Sequence, residues 1–306
     1  MNWTGVIPAI TTPFDANGKV DHAFLAGQCQ WLVESGCTGI VPLGSLGEGS
    51  TLDYDEKLAI VETCVRAVGS SVPVSVSISS LSTCEAVRLA KDAARRGCEG
   101  LMILPPYVYR GDNREMKSHV AAVLRATDLP AMLYNNPVSY GTDFLPQQVA
   151  ELAAEHPNLQ AIKESSTDVR RVTAIRALLG DRIDVLVGVD DAIVEGIAVG
   201  AVGWIAGLAN ALPAESVALF RHASNGDMHK ALAIYRWFLP LLRMDTVPKF
   251  VQLIKLVQQE VGRGSARVRA PRLELEGVEL REAKNIISKV LETRPQHRIE
   301  EKVARS

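Results

Sequence analysis

The chain predicts an α/β fold, a (β/α)8 TIM barrel over residues 1–224 followed by a C-terminal helical extension packed on it over residues 225–306. Three observations carry that expectation. Short apolar runs of strand composition recur along the first two thirds, each followed by a longer segment of helical period, the alternation of βα units around a parallel sheet. The runs are nearly continuously apolar, as strands covered on both faces require. A glycine pair also precedes three of them, in Gly36-Cys37-Thr38-Gly39, Gly97-Cys98-Glu99-Gly100 and Gly200-Ala201-Val202-Gly203. The first glycine suits the left-handed cap of the preceding helix, and the second lets the chain turn into the strand with no Cβ in the way.

In order, the strand-like runs are Gly5–Ile10, Gly39–Leu43, Pro73–Ile78, Gly100–Leu104, Ala131–Tyr134, Ala161–Lys163, Asp184–Val187 and Val202–Ala206. The helical patterns that follow them are Ala23–Glu34, Tyr54–Val68, Cys84–Arg96, Arg114–Ala126, Leu145–Glu155, Val169–Leu179, Asp191–Val199 and Pro213–Ala223. Beyond the turn signal Ser224-Asn225-Gly226-Asp227 come three more helices, His229–Leu242, Lys249–Val261 and Leu280–Glu292, and a frayed end, Gln296 to Ser306.

Composition narrows the function classes. With 306 residues, 47% hydrophobic and 22% charged, the chain can bury a sizeable core. A net charge of −2 gives no electrostatic reason to expect nucleic acid or an anionic membrane as partner. The five cysteines are odd in number and include no C-x-x-C pair, which suits a reduced cytoplasmic compartment. No run approaches a membrane span, and the N-terminus lacks the pattern of a signal peptide.

In a parallel barrel the active site lies at the C-terminal ends of the strands, so polar residues there are the candidates. The sixth strand ends in Lys163, a lysine inside the apolar run Ala161-Ile162. Burial disfavours the ammonium and lowers a lysine pKa by up to about 3–5 units, and the neutral amine is the form that attacks carbonyls. Taken alone, Lys163 better suits a strand-end cation that reaches solvent or pairs with Glu164. The second strand ends in Gly44-Ser45-Leu46-Gly47-Glu48-Gly49-Ser50, a loop whose N–H groups suit a carboxylate or phosphate. It also reads as a plain turn with Ser50 or Asp53 capping the next helix. The fifth strand ends in Tyr134, a phenol able to relay protons or simply to fill the rim. Tyr107 and Tyr109 follow the fourth strand, and Asp190 and Asp191 follow the seventh as expected helix caps. No histidine lies at a strand end, which argues against a His-rich metal site.

Taken together these residues resemble the dihydrodipicolinate synthase / N-acetylneuraminate lyase family. The likeness rests on Gly44-Ser45-Leu46-Gly47-Glu48 with Thr51-Leu52 and Glu56, on Tyr134-Asn135 with Pro137, on Ile162-Lys163-Glu164, and on Gly203 to Asn210. The resemblance implies that Lys163 forms an imine with a 2-oxo acid, that Tyr134 shuttles protons, and that Ser45 links to the Tyr134 phenol. It implies further that the backbone at Ser45 and Leu46 holds the substrate carboxylate, and that the Ile205 carbonyl faces the pocket. It also implies a homotetramer of tight dimers with no metal or organic cofactor. Three positions depart from the synthases. Val108 replaces a relay tyrosine, Leu46 a threonine, and Ser139 an arginine that grips the substrate. The combination of Pro106-Tyr107-Val108-Tyr109-Arg110-Gly111-Asp112, Tyr134-Asn135-Asn136-Pro137-Val138-Ser139-Tyr140, Lys163-Glu164-Ser165-Ser166 and Val268-Arg269-Ala270-Pro271-Arg272 looks most like the branch that deaminates 1-pyrroline-4-hydroxy-2-carboxylate, a cyclic imino acid, to 2-oxoglutarate semialdehyde and ammonia. A pyruvate-dependent aldolase or condensing enzyme is the alternative, and a non-catalytic 2-oxo-acid-binding barrel a third reading.

Overall fold

The computed structural model describes residues 1–295. The expected frayed end, Gln296 to Ser306, lies outside the described residues. Seven strands form one sheet: β1 (Gly5–Pro8), β2 (Ser75–Ile78), β3 (Gly100–Ile103), β4 (Ala131–Asn135), β5 (Leu159–Glu164), β6 (Asp184–Val187) and β7 (Gly203–Ala206). Their spatial order is β1-β7-β6-β5-β4-β3-β2, every pair parallel. Helices α1 (His22–Glu34), α2 (Tyr54–Val68), α3 (Thr83–Arg95), α4 (Asn113–Leu124), α5 (Pro137–Tyr140), α6 (Pro146–Glu155), α7 (Arg170–Leu179), α8 (Ile193–Ala198) and α9 (Pro213–Ser224) make the connections. The chain closes with α10 (Met228–Leu242), α11 (Phe250–Glu260) and α12 (Gly277–Glu292).

One expected strand is missing as such. Gly39–Leu43 forms two isolated parallel bridges, Ile40 with Val74 and Val41 with Ala9, instead of a ladder. The Val41 N–H donates to the Pro8 carbonyl at 2.9 Å and the Ile40 N–H to the Pro73 carbonyl at 3.0 Å, so this segment bonds to both edges of the sheet. One more bond follows, from the Ser77 N–H to the Pro42 carbonyl at 3.1 Å, and the pairing then stops for local reasons. Pro42 has no N–H to donate, and Leu43 turns away with a φ of 66°.

Successive strand side chains point to opposite faces, and here the two faces build two separate cores. The outward set, including Leu133, Ile162, Val185 and Trp204, packs against the helices. The inward set, including Ile7, Met102, Met132, Tyr134, Ala161, Leu186 and Ile205, packs on itself inside the curled sheet. Lys163 follows Ala161 by two residues, so the same alternation turns it inward and Glu164 outward. The short α5 is an unexpected element. Pro137 supplies its first turn and the Asn136 side chain accepts from the Ser139 N–H at 3.0 Å, so a single turn forms directly after β4.

The C-terminal helices hold the loop that follows the bridging segment. Lys255 on α11 donates to Glu48 at 2.6 Å and to the Arg267 carbonyl at 2.7 Å, and the Arg269 N–H reaches the second Glu48 oxygen at 2.9 Å. The Arg269 guanidinium forks onto Glu56 of α2 at 2.6 and 2.9 Å. Residues 267–272 are thereby strapped across the Gly44–Thr51 loop. Among the described residues no helix is long and apolar enough to cross a membrane.

Candidate active site

The inward strand positions converge on one amine. In register across the sheet, Tyr134 of β4 lies beside Lys163 of β5, which lies beside Leu186 of β6. Lys163 is 7% exposed, and its Nζ sits 4.0 Å from the centre of the Tyr134 ring. The space for its long side chain comes from the next inward position of β6. An alanine methyl at Gly188 would lie 2.5 Å from Lys163 Cε and 2.6 Å from Cγ, so no other residue type leaves the lysine where it is. Burial lowers the Lys163 pKa, and the negative field of Asp245, then of Tyr140 and Asp190, opposes that shift.

On the β4 side of the amine stands a group of phenols. Tyr134 is buried, which pushes its pKa up to about 12. Its hydroxyl accepts from Asn136 Nδ2 at 3.0 Å. Tyr140, carried by α5, meets the Tyr134 ring edge-on with centres 6.1 Å apart and packs against Tyr107 at 5.4 Å. Burial raises the Tyr140 pKa as well. The Tyr140 hydroxyl is hydrogen-bonded to Ser45. Ser45 and Tyr140 then border a cleft of about 110 Å³ with Ser79, Leu104, Tyr107 and Arg272.

The Ser45 loop has the form of an anion cradle. The N–H groups of Ser45 and Leu46 donate to no acceptor among the described residues. Leu43 and Glu48 bracket the loop with φ of 66° and 55°, left-handed values that cost a non-glycine residue of order 1–3 kcal/mol and recur at ligand-binding turns. Glu48, fully buried beneath, is held by Lys255 and the Arg269 backbone as described above. The unsatisfied donors and the strained turn together suit a carboxylate.

On the β6 and β7 side stand two carboxylates. Asp190, fully buried, accepts from Trp204 Nε1 at 2.8 Å, from the Gly207 N–H at 3.0 Å and from the Leu208 N–H at 2.7 Å. Burial pushes its pKa up to about 6 against those donors and the Lys163 charge. Asp245 sits in the short 3-10 helix Arg243–Thr246 between α10 and α11, and burial together with Asp190 raises its pKa well above the ordinary carboxylate value. Among the described residues no cluster of three or more His, Cys, Asp or Glu side chains is placed to hold a metal ion.

The sequence model of the dihydrodipicolinate synthetase family matches residues 2–290. The chain belongs to that family. It is 37% identical over 231 residues to the 4-hydroxy-tetrahydrodipicolinate synthase of Pelobacter propionicus, covering 76% of this chain and 79% of the relative. To the synthase of the same name from Haloarcula marismortui it is 33% identical over 294 residues, 96% of this chain and 95% of the relative. Among solved structures it resembles the 4-hydroxy-tetrahydrodipicolinate synthase of Methylacidiphilum fumariolicum, with a TM-score of 0.91, 29% identity and coverage of 95% and 97% of the two chains. It also resembles a prophage protein of the dihydrodipicolinic acid synthase family from Escherichia coli, solved with pyruvate, at a TM-score of 0.90 and 28% identity, covering 95% of this chain and 99% of that one.

Against the pattern expected for a dihydrodipicolinate synthetase family member, Lys163 and Tyr134 come together as a pair and Ile205 lies below them, 2% exposed, in the inward core. Three expectations need correction. Ser45 bonds to Tyr140 rather than to the Tyr134 phenol, because α5 places the Tyr140 hydroxyl between them. Ser139 is exposed and is not among the residues that border the cleft. Asp190 and Asp191 were expected to cap a helix, but Asp190 instead ties Trp204 to the Gly207 turn. Leu46 turns its side chain into the outer core and leaves only its backbone to the loop. Of the two tyrosines flanking Val108, Tyr107 faces Tyr140, whereas Tyr109 is exposed and bonds Glu115 at 3.0 Å. Tyr140, Gly188, Asp245 and Arg272 went unnoticed as site residues in the sequence. Gly188 had a readable signal, a glycine directly after an apolar strand, and Arg272 stood in the Val268–Arg272 stretch that carries the resemblance, whereas Asp245 had none.

Proposed function

We propose that the protein is a Schiff-base-forming lyase acting on a 2-oxo acid at Lys163. The observation that carries this reading is the placement of a buried amine against the Tyr134 ring, with Gly188 vacating the space its side chain occupies. The substrate carboxylate rests on the Ser45 and Leu46 N–H groups, which presents the 2-keto carbon to Nζ. The neutral amine adds to the carbonyl, the carbinolamine oxygen takes up a proton and leaves as water, and an imine remains. Tyr134, beside Nζ and raised to about 12, is protonated at neutral pH and donates that proton, with Tyr140 and Ser45 linking it to the open cleft. The cationic imine then withdraws electrons from C3, which permits bond formation or cleavage there.

For the fate of the carbon skeleton, the names of the relatives support a pyruvate-dependent condensation or aldol reaction of the synthase type. A second reading, deamination of a cyclic imino acid, is favoured by Ser139, which leaves α5 without the guanidinium that the synthases use on a second substrate. Incubation with pyruvate or with 1-pyrroline-4-hydroxy-2-carboxylate followed by borohydride is expected to leave a reduced adduct on Lys163, and the absence of an adduct from either rejects both readings. Consumption of aspartate semialdehyde with pyruvate then marks the synthase, and ammonia released from 1-pyrroline-4-hydroxy-2-carboxylate marks the deaminase.

A further inference from the structure

The cleft bordered by Ser45 and Tyr140 is lined by hydroxyls and a single charge. Ser50, Ser79 and Tyr107 also face it, and the one charged side chain among its lining residues is Arg272. The protein engages that guanidinium weakly. Its one ionic partner among the described residues is Glu48, at 3.8 Å, beyond hydrogen-bond length. Glu48 is already held at closer range, by Lys255 at 2.6 Å and by the Arg269 N–H at 2.9 Å. The Arg272 side chain is 25% exposed, and its N–H donors form a rigid planar fork that matches a carboxylate.

Arg272 is nevertheless fixed in place. Lys255 donates to the Arg267 carbonyl at 2.7 Å, the Arg269 guanidinium forks onto Glu56 at 2.6 and 2.9 Å, and the Arg272 N–H donates to the Arg269 carbonyl at 3.2 Å. The cleft is also set apart from the amine. Lys163 and Tyr134 do not line it. The Tyr134 ring lies 4.0 Å from Nζ, and the Tyr140 ring that borders the cleft is centred 6.1 Å further on. In the Schiff-base reading, the carboxylate next to the reacting carbon rests on the Ser45 and Leu46 N–H groups. A three-carbon acid bonded at Nζ is satisfied by that loop, which leaves the Arg272 guanidinium to a more distant part of a longer substrate.

We propose that Arg272 is a specificity-determining residue that receives a second carboxylate, carried at the end of the substrate remote from the imine. The site then favours dicarboxylic 2-oxo acids, or the union of a 2-oxo acid with an aldehyde acid that yields one. The guanidinium offers two parallel N–H bonds to the carboxylate oxygens, the Ser50, Ser79 and Tyr107 hydroxyls surround it, and no acidic side chain lines the cleft to repel the charge. This inference rests on the Schiff-base reading and names a substrate class for it. Within that reading it favours a carbon skeleton with two acidic ends over a cyclic imino acid with one.

The test traps imines with borohydride on the full chain and compares acids that differ only at the far end: 2-oxoglutarate with 2-oxopentanoate, and 2-oxoadipate with 2-oxohexanoate. Intact mass gives the concentration that half-saturates the Lys163 adduct. A parent that forms no adduct with these acids or with pyruvate overturns the Schiff-base reading and this inference with it, whereas an adduct with pyruvate alone overturns only this inference. In the parent, the dicarboxylic member of at least one pair is expected to half-saturate at a concentration at least tenfold lower than its partner. A ratio within twofold in both pairs overturns the proposal. Arg272→Met is expected to erase the ratio, and Arg272→Lys, which keeps the charge without the fork, to restore part of it. Equal weakening of both members of a pair in Arg272→Met also overturns the assignment, because Arg272 would then hold the carboxylate next to the imine or only support the loop. Should the methionine variant not fold, the parent gives a further arm. Added salt screens a partly exposed charge pair, so the ratio is expected to fall as ionic strength rises, and a ratio indifferent to salt opposes the assignment.

Discussion

Gly188 and Lys163 are complementary in the steric sense: an alanine methyl at Gly188 would lie 2.5 Å from Lys163 Cε and 2.6 Å from Cγ, and also 2.1 Å from Ser165 Oγ. The backbone at Gly188 lies outside the left-handed region, so alanine meets no backbone strain there and its effect is confined to the clash. Gly188→Ala is expected to fold and to lose the pyruvate adduct on Lys163 by at least tenfold in trapping rate. Trapping at the parental rate would show that the side chain reaches substrate by another path.

Lys163 is itself a cost to the fold. Burial lowers its pKa, so the unfolded chain binds the proton more tightly than the folded one, and the resulting penalty is full at pH below the folded value. Lys163→Met removes the buried amine while keeping most of its volume. The variant is expected to lose turnover entirely and to melt no lower than the parent at pH 7, the gain fading as pH rises towards the ordinary lysine range. A melting temperature several degrees lower would contradict the assignment of an unfavourably buried amine.

The same lowered pKa predicts the acid limb of imine formation. Neutral Nζ is the reactive form, so the trapping rate with pyruvate rises with pH through the Lys163 pKa, and that limb should lie below the ordinary lysine value of 10.5. A limb at the ordinary value would mean that the amine is solvated.

Tyr134→Phe separates the ring from the hydroxyl. The ring face that contacts Nζ at 4.0 Å remains, whereas the proton donor goes. Turnover should fall by roughly 10²–10⁴-fold, the usual worth of a positioned acid–base group. Ser45→Ala, which removes the Tyr140 partner, should fall less and leave the adduct mass unchanged. Equal activity in Tyr134→Phe and the parent would remove the phenol from the proton path.

Glu48 and Lys255 form a buried pair, 0% and 2% exposed, at 2.6 Å. Lys255→Met leaves the Glu48 carboxylate inside with only the Arg269 N–H and the more distant Arg272, at 3.8 Å, to balance it. Breaking one side of such a pair costs about 3–5 kcal/mol, and denaturant unfolding should report a loss of that size. Substrate affinity should weaken too, since Glu48 closes the turn that presents the Ser45 and Leu46 donors.

The local part of this protein is written in short-range pattern. Apolar runs with period-two alternation, helix caps such as Asp21 and Asp112, and glycines at helix ends specify strand and helix through neighbours a few residues away. That is why the βα order, the place of Lys163 at a strand end and the resemblance carried by Ser45, Tyr134 and Lys163 were legible from the chain alone. The weak second strand was not, because Pro42 and the turn at Leu43 interrupt pairing without altering its composition. What only the tertiary structure decided are contacts between residues far apart in sequence. Tyr140 takes the Ser45 bond because a one-turn helix happens to lift its hydroxyl, and Arg272 borders the cleft because Lys255 and Arg269 strap its segment over a loop more than two hundred residues earlier. No periodicity encodes such meetings; they follow from closure of the fold, which sets side by side groups whose own neighbours in sequence carry no trace of the encounter.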